Sequence, residues 1–191
     1  MRLFFAVELT DEIITRVCAV QEELRSAIGE EGVRWARPEQ FHLTLKFLGE
    51  VSDARVVHVV DAAMAAREGR KPFDLTIGGV GAFPTDARPS TLWVSVMSGV
   101  GALADLALAL EAELQRRGFP RDRRPLKGHL TLARIKTYAG EKSAARALRS
   151  AEVGELGAMI VDRFVLMQST LKPSGSEYAL VEGFGFVSEG G

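Results

Sequence analysis

Residues 129–135 spell His129-Leu130-Thr131-Leu132-Ala133-Arg134-Ile135, and their first four letters have already occurred once, as His42-Leu43-Thr44-Leu45 followed by Lys46-Phe47. The two copies use two of the three histidines in the 191-residue chain. One His-x-Thr in a protein of this size is unremarkable; two, each with Leu at both alternate places, are not. Successive side chains on a β-strand point to opposite faces, so His42 and Thr44 share one face and Leu43 and Leu45 the other. The same holds for His129 and Thr131 against Leu130 and Leu132. Each copy is therefore a strand with an apolar face that packs and a polar face that stays wet. By strict alternation Lys46 joins the His42 face, whereas Arg134 falls opposite His129.

Outward from the first copy, residues 2–8 (RLFFAVE) form an apolar run of strand length, and helical spacing follows from Asp11 to Ile28 with Thr10 as cap. Glycines at 29 and 32 stop that helix, and Pro38 in WARPEQ marks a turn before the motif strand. Ser52-Asp53 opens a second helix to about Arg67, and Phe73–Phe83 alternates as a strand whose glycines suggest a bulge. After a turn at Pro84 the order begins again. LWVSV (92–96) is a strand, Leu103–Arg117 a helix closed by Gly118, HLTLARI a strand, Glu141–Ser150 a helix, and Met159–Leu171 a strand. A turn at Lys172-Pro173-Ser174-Gly175 leads into a last strand, Glu177–Val187.

The pattern is a strand-helix-strand-helix-strand unit written twice, with one strand added at the end and the motifs in equivalent slots. It predicts one α+β domain of two pseudo-symmetric lobes, 1–86 and 87–191, with largely antiparallel sheets lining a central cleft and helices outside. The motif strands then face each other across the cleft.

Lys and Arg total 24 against 25 acidic residues, so no global field draws the protein to nucleic acid or membrane, and an anion site must be local. Bases cluster beside the second motif in Arg121, Arg123, Arg124, Lys127 and Arg134, with Lys46 beside the first. The single cysteine, Cys18, excludes an intrachain disulfide and lies on the apolar stripe of the first helix as a small hydrophobe. Five apolar residues before Glu8 are too few for a signal peptide or a membrane span, which predicts a cytoplasmic location. A monomer is expected.

Two imidazoles and two hydroxyls mirrored around one small space suit a phosphate. Cleaving a phosphodiester with water requires a base to take the water proton and an acid to protonate the leaving oxygen, in line on opposite sides of phosphorus. Histidine can fill either role near neutral pH. Threonine hydroxyls can donate to the non-bridging oxygens. The competing interpretation, two histidines bonded to backbone inside core strands, leaves the repeated polar face unexplained. A metal site lacks a third ligand at any recognisable spacing, so neither metal nor cofactor is expected. His58, on a helix among Val and Asp residues, is assigned to surface or packing. Trp35, Phe41 and Phe5 are each either core or a platform for a base.

With both motifs in place, the chain resembles the two-histidine phosphoesterase superfamily, specifically its bacterial and archaeal RNA 2′,3′-cyclic phosphodiesterase branch, also labelled 2′-5′ RNA ligase. The likeness covers MRLFFAVEL, HLTLKFLGEV, GVGAFP, LWVSV, PLKGHLTLARI and VLMQSTLKPSGSEYALVEGF. It implies the two-lobed fold of that family and opening of terminal 2′,3′-cyclic phosphates on RNA or nucleotides to 2′-phosphates, without metal. It further implies His42 as the general acid on the 3′ oxygen, His129 as the base on water, and Thr44, Thr131 and Arg134 on the phosphate. Lys46 and Trp35 complete the expected substrate contacts. One departure is that Lys127-Gly128 precede His129, where many relatives have an aromatic residue or Arg before Pro-His. Two alternatives stand beside hydrolysis: reversible 2′-5′ joining of RNA ends, and a non-catalytic module that holds an RNA end.

Overall fold

The computed structural model describes residues 1–122, 126–173 and 175–186; Arg123, Arg124, Ser174 and Val187, which figure in the sequence expectations, lie outside them. Along the described chain run β1 (Arg2–Glu8), α1 (Asp11–Ile28), β2 (Val33–Trp35), a 3-10 turn (Pro38–Gln40), β3 (His42–Glu50), α2 (Asp53–Arg67) and β4 (Phe73–Thr85). Then follow β5 (Arg88–Ser98), α3 (Val100–Arg116), β6 (His129–Ile135), α4 (Tyr138–Ser150), β7 (Glu155–Val161), β8 (Arg163–Lys172) and β9 (Gly175–Gly185). The fold class is α+β, as expected.

Local chemistry accounts for the ends of the helices. Thr10 caps α1 by accepting from the Ile13 N–H at 3.4 Å, and Thr137 caps α4 by accepting from Gly140 at 3.2 Å. α3 starts a turn earlier than its apolar spacing predicts, because Gly99 at φ 80° supplies a left-handed entry. A Cβ there would lie 2.1 Å from the Asp74 carbonyl oxygen.

Two antiparallel sheets result, one ordered β3-β1-β8-β9 and the other β2-β6-β5-β4-β7. This corrects the division into lobes at 86/87. That boundary falls inside the β4–β5 hairpin, whose short turn forces the two strands to pair. β4, from the first half, thus belongs to the second sheet, while β8, from the second half, pairs with β1. The single strand expected over Met159–Leu171 is likewise two strands. The chain breaks at Asp162, and β7 and β8 go to different sheets.

One hydrophobic core joins the two sheets and all four helices, with α1 packed on α4 and β7, and α2 on α3. β1 is covered on both faces. Leu3, Phe5 and Val7 enter the main core, and Phe4 and Ala6 form a small second cluster with Val165, Met167 and Tyr178. β3 and β6 come together, bringing the motifs to one cleft.

Strict alternation fails at the same place in both motif strands. Between Thr44 and Lys46 the register against β1 slips by one residue at Leu45, and between Thr131 and Ala133 the register against β5 slips at Leu132. Each slip is a β-bulge, which reverses the facing of the residues that follow it, on β3 as far as a second slip at Leu48. Leu132 is held at its carbonyl by the Ala36 N–H (2.8 Å) and by Nε2 of the buried Gln21 (2.9 Å).

Candidate active site

Before the bulges, His42 and Thr44 on β3 and His129 and Thr131 on β6 share a cavity of about 240 Å³. Past the bulges, Phe47 and Arg134 are the next residues to turn toward it, and both line it. Alternation predicted the reverse for this pair of strands. Arg134 lies on the His129 side of β6, against the expected parity. Lys46 points into the protein, is 4% exposed and is not among the residues that line this cavity.

The Lys46 ammonium instead meets Glu111 of α3 at 2.8 Å, Asp122 at 2.8 Å and the Pro120 carbonyl at 3.1 Å. Its three donors are thereby all used. The Asp122 N–H donates to the same Glu111 oxygen at 2.7 Å, so the cluster fastens β3 to α3 and to the chain that leaves it toward β6.

His42 lies between aromatic rings. Phe4 is 4.9 Å away and tilted, and Tyr178 is 5.2 Å away and edge-on. Burial among them pushes the imidazole down to about 4; a hydrogen bond to the Gln40 backbone opposes this, and the neighbouring His129 adds to it. Thr44 Oγ1 stands 3.0 Å from its Nε2.

His129 packs edge-on to Phe83 at 4.9 Å, and its Nδ1–H donates to the Lys127 carbonyl at 2.6 Å. In the neutral ring that bond leaves the Nε2 lone pair free. Trp93, cross-strand from Thr131, lies over Gly81, where a Cβ would meet the indole at 2.4 Å.

Trp35 borders the cavity from the far side of β2. It pairs with the buried Ala133, donates from Nε1 to the Gly29 carbonyl at 3.3 Å, and carries Arg25 over its ring at 5.4 Å. Phe41 and Phe5 are core residues, 5% and 0% exposed. His58 is exposed on α2 and Cys18 packs against the core, as expected. Among the described residues no three His, Cys, Asp or Glu side chains converge as a metal site, and no helix is long and apolar enough to cross a membrane.

The profile of the LigT like Phosphoesterase family matches residues 7–93 and 95–178. The chain is a LigT-like phosphoesterase. Among relatives of this LigT-like phosphoesterase, a protein of Archaeoglobus fulgidus named RNA 2′,3′-cyclic phosphodiesterase is 36% identical over 93% of this chain and 96% of its own. One of the same name from Methanothermobacter thermautotrophicus is 30% identical over 96% of this chain and 98% of its own. The crystal structure of the Thermus thermophilus protein TT0787 superposes with a TM-score of 0.83 at 28% identity, covering the whole of both chains.

Sequence reasoning about this LigT-like phosphoesterase missed several residues that line or shape the cleft. Arg37 and Gln40 belong to the stretch WARPEQ read as a turn, Arg34 stands just before it, and their spacing ahead of the first motif was the available signal. Tyr178 arrives from β9 and Phe83 from β4; nothing in the spacing of either announces the histidine it contacts.

Proposed function

We propose that the protein hydrolyses RNA 2′,3′-cyclic phosphate ends to 2′-phosphomonoesters, with His42 as acid and His129 as base. The observation that carries this reading is the paired arrangement itself: two His-Thr faces on facing strands, in one cavity lined, among the described residues, by three arginines and no carboxylate. The hydrogen bond from His129 Nδ1 to Lys127 supports its role, because a base that takes a proton from water needs Nε2 unprotonated. His42, held near 4 by its apolar surroundings, is a strong acid once protonated. The negative charge of a bound phosphodiester favours that protonated form, so on substrate binding His42 takes up from solvent the proton that the leaving 3′ oxygen receives. Thr44, Thr131 and Arg134 then hold the non-bridging oxygens as charge develops there. Both proton transfers are assigned to imidazoles, and no step is assigned to a metal. The names of the relatives agree with this substrate.

A second cavity of about 800 Å³ opens beside His129 and Thr44, far more room than a water nucleophile needs. It supports a second reading, in which a ribose hydroxyl replaces water and the same pair joins RNA ends through a 2′-5′ linkage.

The test is to incubate adenosine 2′,3′-cyclic phosphate with the protein in excess EDTA and identify the product by phosphorus NMR. Adenosine 2′-phosphate is expected; no turnover, or only the 3′-phosphate, refutes hydrolysis as stated. RNA halves carrying a cyclic phosphate and a 5′-hydroxyl test joining in the same buffer.

A further inference from the structure

Arg34 of β2 lies directly across from Arg134 of β6, and cross-strand partners share a face. Like charges so placed repel. Yet neither guanidinium, nor that of Arg37 three residues on, has a carboxylate within ion-pair distance among the described residues. Among those residues Arg34 reaches only the Pro173 carbonyl at 3.3 Å, Arg37 only the Ser176 carbonyl at 3.5 Å, and Arg134 only Thr91 Oγ1 at 3.5 Å. In a chain with as many acids as bases, a wall of three such arginines is a local positive field that one reacting phosphate between the histidines does not use up. The two additional arginines sit at the end of the cavity formed by β2 and by the start of β9 and do not line the 800 Å³ cavity, where Lys46, Arg121 and Lys127 stand beside the carboxylates Glu111 and Asp122 and Lys46 is paired with both.

We infer that this wall is a track for the RNA chain that precedes the reacting nucleotide, Arg34 and Arg37 engaging the phosphodiesters on its 5′ side. The inference rests on the proposed cyclic phosphodiesterase reading and deepens it: the preferred substrate is an oligonucleotide end, not a mononucleotide. Guanidinium suits this task because it stays charged and offers forked donors to phosphate oxygens.

The experiment compares kcat/KM for adenosine 2′,3′-cyclic phosphate with that for a triadenylate ending in the same cyclic phosphate. The wild-type protein is expected to favour the trimer by at least about tenfold, the equivalent of one good charged contact. In Arg34→Gln and Arg37→Gln that ratio falls toward one, and Arg34→Lys keeps part of it. The dependence of the trimer's kcat/KM on salt becomes shallower by about 0.7 in log-log slope for each arginine lost. Arg149→Gln, an exposed change on α4, keeps the wild-type ratio. A wild-type ratio near one, or an equal loss on both substrates in the glutamine variants, overturns the track; the latter assigns the arginines to holding the β8–β9 turn. If the wild-type protein turns over neither substrate, the parent reading fails. The track is then decided by comparing binding of a labelled trimer ending in a 2′-phosphate with binding of adenosine 2′-phosphate, and equal affinities overturn it.

Discussion

β3 and β6 begin with the same four residues and slip register at the same point, yet they deliver different surroundings to their histidines. On β3 the bulge buries Lys46 and turns out Phe47; on β6 it buries Ala133 and turns out Arg134. His42 is enclosed by Phe4 and Tyr178 and is depressed to about 4, whereas His129 has its Nδ1 tied to a backbone carbonyl and one edge-on Phe83. The repeated motif thus supplies two copies of a His-Thr face, and the residues that follow and cover each copy give the two histidines different surroundings. The proposed mechanism requires an acid and a base that differ, and these neighbours are the source it would draw on.

The largest expected effect tests whether both copies act. His42→Ala and His129→Ala are each expected to lower kcat by about a hundredfold to ten-thousandfold while far-UV circular dichroism and the melting transition persist. If either variant retains most of its turnover, the division of roles is broken.

Lys46→Met tests the buried half of the bulge on β3. It leaves Glu111 without its counter-charge in a largely buried setting, and a loss of about 3 kcal/mol in stability is expected from urea unfolding. Ala133→Ser, the same position on β6, is expected to cost about 1–3 kcal/mol through a buried hydroxyl without a partner. A cost below about 1 kcal/mol for Lys46→Met would mean that the ion cluster adds nothing special.

The third prediction concerns pH. The unfolded His42 titrates near 6.5 and the folded one near 4, so between these values the unfolded chain binds more protons. The His42 contribution is therefore complete above pH 6.5 and is lost as pH falls toward 4, by about 3 kcal/mol in all. Comparing unfolding of the wild type and His42→Phe from pH 7 to pH 4 isolates it; parallel curves would refute the depressed imidazole. The smallest effect is the sharpest comparison. Tyr178→Ala opens one side of His42 to water, and its titration followed by NMR should move upward from about 4 toward the ordinary value.

Much of this was legible from periodicity. α1 begins and ends where Thr10 and Gly29 predict, and both motif strands turn their Leu pairs into the core as alternation predicts, although β3 is an edge strand and β6 lies between β2 and β5. The bulges were not legible, since Leu45 and Leu132 look like ordinary members of the apolar face. Both errors of parity, Lys46 inward and Arg134 outward, follow from that one omission. The break at Asp162 falls at the charged pair Asp162-Arg163 between two apolar runs, which reads equally as a polar position within one strand or as a junction between strands of two sheets. β2 is only three residues long, and its pairing with β6 depends on contacts made about 100 residues away, which no local window contains.

The placement of β4 and β8 makes the molecule, in topological terms, a strand-exchanged dimer written on one chain. In each sheet the strand beside the motif-bearing pair comes from the opposite half. Severing the chain at the β4–β5 turn would therefore yield two fragments that each lack a strand the other holds, and they would have to recombine to make either sheet complete. The two motif strands are locked to each other by this exchange, so their separation across the cleft is set by the topology of the whole chain and not by a hinge between independent halves.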